Sequence, residues 1–171
     1  MSLKKRIDSV RVVKEVDIDA GFSWLGEFTD RQDDWSICRQ AGEYVANLPD
    51  DYDFPERCRE YRYFVPYAGG EAPGTADFQK YGKHDWERME AYERKQWCFV
   101  GLRAEAKIVV NGICQTISSG GLWGIESDSE DAYFAEVAQE ELHSLADLLT
   151  ELGFTKRQIN AAVKSHEMVE A

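Results

Sequence analysis

Glu126-Ser127-Asp128-Ser129-Glu130-Asp131 places four carboxylates within six residues. Alternating acids of this kind gather oxygen ligands around Ca²⁺ or Mg²⁺. Glu126, Asp128 and Asp131, beside Trp123, are therefore the candidate metal ligands, and a metal-dependent enzyme built on 126–131 is one reading of the chain. The calcium-loop pattern asks for glycine at its sixth place and glutamate at its twelfth. Counted from Glu126, those places hold Asp131 and Val137. Acids ahead of a helix are also what the positive end of the helix dipole favours, and a helix start is the plainer account.

Other groupings are weaker. Gly120-Gly121-Leu122-Trp123-Gly124 resembles a phosphate-cradling loop, but no lysine follows it and acids do; it reads as a sharp turn between strands. His84, His143 and His166 stand apart, without a second histidine at metal spacing. His84-Asp85 with Cys98 would make a thiol site, yet Cys98 falls on an apolar stripe and reads as an inert core thiol. The cysteines at 38, 58, 98 and 114 form no Cys-x-x-Cys pair and are expected to be reduced thiols. Arg57, Arg59 and Arg62 interleave with Tyr61, Tyr63 and Tyr67, a mixture able to stack bases and hold phosphates. Glu56 and Glu60 interrupt it, and cross-strand pairing on a sheet surface serves equally well. No catalytic residue and no cofactor is assigned.

Charge says more. The net charge is −12, which argues against direct nucleic-acid binding and against anionic membranes. From Ile108 to Thr155 there is no lysine or arginine, and nine acids carry −9 of the total. Within this block Glu136, Glu140 and Asp147 follow i, i+4, i+11, one face of a helix, with Glu151 a turn further on. Glu126, Asp128, Glu136, Glu140, Asp147 and Glu151 are the candidate interaction surface, because complementary potential drives fast, salt-sensitive association with a basic protein.

The elements that must hold these residues are partly readable. From Trp97 to Val110 every second residue is apolar, the period of a half-buried strand. Asn111-Gly112 is the strongest signal for a type I′ turn, and Ile113–Ser118 returns, setting Val110 against Ile113 and Ala106 against Ile117. Leu122–Ile125 suits a third short strand. A long helix follows, with Ser127, Asp128 or Ser129 as its cap. Phe134, Val137, Leu142, Leu145, Leu148, Leu149 and Leu152 lie on its inner face, and Gly153 with Phe154 stops it. Thr155-x-x-Gln158 opens a second helix. Upstream, Val10–Val16 reads as a strand, 20–34 as loop, Glu60–Val65 as a strand closed by Pro66, and Thr75 to about Lys95 as a helix broken near Gly82. The secondary structure of 20–55 is not settled by the pattern. The fold class is α+β: an antiparallel sheet centred on a long hairpin (about 97–110 and 113–118) packed against C-terminal helices, in one domain over 1–171 with the first eight or so residues frayed. No run approaches the ~18 apolar residues of a membrane span, and the basic start has no apolar stretch behind it, so a cytoplasmic protein is expected.

Three segments carry a resemblance: Glu60-Tyr61-Arg62-Tyr63-Phe64 through Pro66-Tyr67-Ala68-Gly69-Gly70; then Tyr81, Asp85, Glu87, Arg88 and Met89; and Gln115 through Ser129. Over about 15–153 the chain resembles a family of small acidic proteins of unknown function encoded by bacteria and their phages or plasmids. The resemblance implies a mobile genetic element as context and carries over no catalytic residue. Together with the charge it leads to a non-enzymatic interaction protein with a protein partner, a basic host protein whose cationic groove an acidic face would occupy in imitation of nucleic acid. The alternatives are the metal-dependent enzyme and a structural or regulatory partner with no ligand.

Overall fold

The computed structural model of the protein describes residues 4–29, 37–38 and 63–171. In chain order the elements are β1 (Lys5–Val16), β2 (Gly26–Thr29), β3 (Ile37–Cys38), β4 (Tyr63–Pro66), α1 (Ala76–Glu93), β5 (Phe99–Val110), β6 (Ile113–Ser118), β7 (Leu122–Glu126), α2 (Asp131–Glu151), α3 (Lys156–Lys164) and β8 (Glu167–Glu170). The fold is α+β. The chain divides into two compact units: Met1–Ala20 with Cys98–Ala171, and Gly21–Trp97. The second is inserted between β1 and β5. These strands are neighbours, so the chain leaves and re-enters the sheet at adjacent points and needs no linker composition to do so.

The sheet unit is ordered β6-β5-β1-β8, with β7 also on β5. The hairpin has the register its alternation requires, Val110 opposite Ile113 and Ala106 opposite Ile117. Asn111 (φ 52°) and Gly112 (φ 85°) supply the two left-handed residues of the turn. β6 pairs with Glu105–Val110, while β7 pairs with Phe99–Leu102. Two serines finish the ladder. Ser119 donates its N–H to Ala104 O and accepts the Ala104 N–H on its Oγ, both at 2.9 Å. Ser127 does the same for Cys98, at 2.8 and 2.9 Å. Ser127 is thus occupied by the sheet and does not cap α2. The cap is Glu130, which makes no side-chain bond there, and this corrects the expected capping box.

β1 begins at Lys5 and pairs with β5 along its whole length. α2 and α3 cover one face. Val10, Val12, Leu102, Ala104, Ala106, Leu142, Leu145, Leu149 and Ile159 share one core. The two alanines on β5 leave room for the leucines of α2, each fully buried one contributing about 1.5–3 kcal/mol. α2 stops by the pattern its sequence indicates: Gly153 (φ 79°) donates to Thr150 O, and Phe154 donates to Leu149 O. Thr155 and Gln158 form the reciprocal cap of α3. Leu148 departs from expectation. It is 36% exposed, as Leu152 is 44%, because the sheet covers a narrower stripe than the run of leucines offers. β8, unforeseen, runs parallel to β1 with Val12 opposite Met168.

In the inserted unit β4 lies between β2 and β3. β2 occupies part of the segment read as loop, and β3 is the described part of the undecided stretch. α1 is continuous through Gly82, which corrects the expected break. The glycine is there for packing: a Cβ would come within 2.9 Å of Pro66 Cγ. Thr75 caps α1, accepting from Phe78 N at 3.1 Å. Ala68, Gly69 and Gly70 form a 3-10 turn with φ of 50°, 66° and 80°. Phe64, Met89 and Trp97 are buried, with Phe64 against Trp86 and Trp97 against Tyr92.

Candidate functional site

Helical geometry sorts the side chains of α2. The buried residues Phe134, Val137, Ala138, Leu142, Leu145 and Leu149 define the inner face. At 100° per residue, Glu136, Glu140, Asp147 and Glu151 fall within one outward sector, and all four are exposed. Among the described residues no lysine or arginine pairs with any of them. Beside them lies His143, whose Nε2 is 3.8 Å from Asp147 Oδ2, with both side chains more than two-thirds exposed. Such a pair is worth ~0–1 kcal/mol and only when the histidine is protonated. From Glu136 to Glu151 the stripe is about 22 Å long at 1.5 Å per residue. Glu141 is placed differently: its Oε2 accepts the Gly121 N–H at 3.0 Å, tying α2 to the loop between β6 and β7.

The acidic run ahead of α2 is spread over three elements. Glu126 ends β7, half-buried and opposite Phe99. Asp128 is exposed in the turn closed by Ser129 N to Glu126 O at 3.0 Å. Asp131 opens the helix, where its charge suits the dipole. Among the described residues no three His, Cys, Asp or Glu side chains are grouped to hold a metal ion together.

On the sheet face away from the helices lies a group the alternation concealed. Glu105 is buried (7% exposed), although its position marked it as solvent-facing. Arg11 donates to its Oε2 from Nε (2.9 Å) and Nη2 (2.7 Å), and Arg103 Nε donates to Oε1 at 2.9 Å. Arg103 also donates from Nη1 to Glu15. Burial pushes the Glu105 carboxyl up, but the bonds from Arg11 and Arg103 outweigh it and hold it below the ordinary range. Arg103 is pushed up, first by its bond to Glu15 and then by that to Glu105. Trp123 borders this group, 6.0 Å from the Arg103 guanidinium. Its ring lies where a Cβ on Gly101 would be. The signal that would have found the network is pairwise: once β1 is set antiparallel to β5, Arg11 stands opposite Glu105. The four charges satisfy one another, so the arrangement is structural.

Gly120 and Gly121 make the turn into β7, which Leu122-Trp123-Gly124 begins, with positive φ at Gly121 and Gly124 and an extra residue in β7. Cys98 is half-buried against the core. Arg57, Arg59, Arg62 and Tyr61 lie outside the described residues. No helix among the described residues is long and apolar enough to cross a membrane. No protein-family model, curated protein or solved structure matches this chain.

Proposed function

We propose that this protein is a non-enzymatic docking protein that presents the outward face of α2 to a basic protein partner. The observation that carries this reading is the stripe of Glu136, Glu140, Asp147 and Glu151 on one exposed face of a 21-residue helix. The helix is anchored to the sheet by its other face, so the carboxylates are presented without being ordered at the moment of binding. Their density sets what they can do. One DNA strand carries a phosphate every ~3.4 Å of axis, so about 22 Å of it holds roughly six charges against the four here. The stripe matches a cationic groove in sign and length but is sparser than a nucleic-acid backbone. Exposed ion pairs give ~0–1 kcal/mol each and act mainly on encounter rate and orientation. Affinity has to come from apolar anchors. The exposed pair Leu148 and Leu152, four residues apart beside the stripe, suits that role. The mobile-element context that the resemblance implies makes a host enzyme handling nucleic acid the fitting partner.

The test is capture from host lysate at low and high salt with the parent, Glu136→Lys/Glu140→Lys and Leu148→Ala/Leu152→Ala. A basic protein retained by the parent at low salt, and lost by both variants, supports the reading. Equal capture by all three, with the same salt dependence, removes it.

A further inference from the structure

The sheet unit carries a second charged surface, of opposite sign, at the end of α2. The Asn111 N–H donates to Lys4 O at 3.0 Å, so the start of β1 lies against the hairpin tip. Lys5 Nζ donates to Leu152 O at 2.6 Å, and Gln158 Nε2 donates to Lys5 O at 3.0 Å. These bonds bring the end of α2 and the start of α3 to the same place. Lys5 is spent on the helix terminus, and Arg6 is paired with Asp8 at 2.6 Å. Lys4, Lys156 and Arg157 remain exposed, with no carboxylate partner among the described residues. Lys156 and Arg157 occupy the first turn of α3, where the dipole disfavours cations. Helix stability therefore does not explain them.

From this complementarity we propose that a second copy of this chain docks its basic pole on the α2 stripe, so that copies associate head to tail. The inference rests on the reading of that stripe as a docking surface. The pole sits at the end of α2 and the stripe runs along its side, and among the described residues no ion pair joins the two within one copy. Three cations, Lys4, Lys156 and Arg157, unpartnered among the described residues, meet four carboxylates. The contact is heterologous, leaving one pole and one stripe open at each end. A nucleic acid is the other occupant such a pole could take, but nothing else on the surface favours it: the chain as a whole carries −12 and repels a polyanion on approach. The same net charge opposes self-association at long range. At physiological salt the screening length is ~8 Å, so contact pairs act while distant repulsion is damped. At low salt repulsion prevails, and at high salt the contacts fade. Association is weak and passes through a maximum at intermediate ionic strength.

Sedimentation velocity of the full chain over a range of salt and protein concentration tests this. The expected result is concentration-dependent association greatest at intermediate salt and weakened about tenfold or more by Lys156→Glu/Arg157→Glu or by Glu136→Lys/Glu140→Lys, a change of ~1.4 kcal/mol or more. Each variant alone presents like charges on pole and stripe, so mixing the two restores association. Circular dichroism checks that both fold; should either not, Lys156→Gln/Arg157→Gln and Glu136→Gln/Glu140→Gln, expected to weaken association in the same direction, take their place. The proposal falls if the parent is monomeric throughout, if the reversals leave association intact, or if the mixture fails to restore it. It also falls if a short single-stranded DNA binds the parent through Lys156 and Arg157 while the parent stays monomeric. A monomeric parent whose capture of a basic protein is lost on reversing Glu136 and Glu140 removes self-association alone and leaves the docking function standing.

Discussion

Glu105 in the sheet unit and Asp85 in the inserted unit are both buried carboxylates, held in opposite ways. Glu105 accepts three hydrogen bonds from two guanidinium groups, and its carboxyl lies below the usual range despite its burial. Asp85 accepts one backbone N–H, from Ala68 at 2.7 Å. There burial prevails, and the Ala68 bond and the charge of His84 only partly offset it, so the carboxyl is raised. The first carboxylate is bound by partners that the β1–β5 register already aligns. The second secures a turn in which Ala68, a non-glycine residue, holds a φ of 50°, a conformation costing ~1–2 kcal/mol. Burial alone thus says little about an acid; the number and charge of its donors decide whether it stays ionised.

The comparison breaks most readily at Glu105. Glu105→Ala leaves the Arg11 and Arg103 guanidinium groups without the carboxylate they share. Losing one partner of a fully buried pair costs ~3–5 kcal/mol. Arg11 is about half exposed and can rehydrate, so a loss of about 2–3 kcal/mol is expected. Urea midpoints read it, and an unchanged midpoint would show that the network contributes no net stability. Asp85→Asn keeps an oxygen for the Ala68 N–H and removes the charge. At neutral pH it should shift stability by no more than about 1 kcal/mol, toward greater stability, because a desolvated charge is gone.

Acid should separate the two groups further. Glu105 has a folded pKa below its unfolded value of ~4.3, so its stabilisation is complete above that pH and is lost as pH falls toward the folded value. Asp85 has a folded pKa above its unfolded ~3.9. Its cost is present above the folded value and is relieved as pH falls through it. The advantage of Asp85→Asn over the parent should therefore shrink on mild acidification, while the deficit of Glu105→Gln persists until pH drops below ~4.3. Amide hydrogen exchange, read separately in α1 and β5, checks both signs. If the two trends coincide, the opposition between these sites is wrong.

The same contrast marks what was legible in the sequence. The hairpin was, because seven alternating apolar residues and Asn111-Gly112 encode period and turn locally. The exposure of Glu105 was not, since alternation assigns a side chain to a face without saying what shares that face. Ser127 looked like a cap because its spacing to Glu130 suits one, but the Cys98 N–H and C=O claim it, and that depends on a partner 29 residues away. Gly82 looked like a break for the same reason: its need comes from Pro66, outside the helix. β8 and β2 are four residues each, too short for a period, and exist through pairing with distant strands. The acidic stripe was legible as a spacing, whereas the basic pole was not, because Lys4 and the first turn of α3 come to one place only through the docking of α3 on β1, where Gln158 bonds Lys5.

The smallest expected effect sharpens the comparison from the other side. Glu136→Lys/Glu140→Lys changes the net charge by four units, yet should alter stability by less than ~0.5 kcal/mol. Both carboxylates are exposed and unpaired among the described residues, and both lie beyond the first turn of α2, where the dipole's pull on an acid has faded. The reversed pair is again two like charges at i, i+4, whose repulsion of a few tenths of a kcal/mol is the same for either sign, so this contribution cancels. Against that, Glu105→Ala removes a single carboxylate and should cost several times as much. Parallel urea denaturations of the two variants measure the contrast directly. If reversing the stripe destabilises as much as deleting Glu105, those glutamates belong to the internal charge balance of the fold, and α2 has no outward face to spare for a partner.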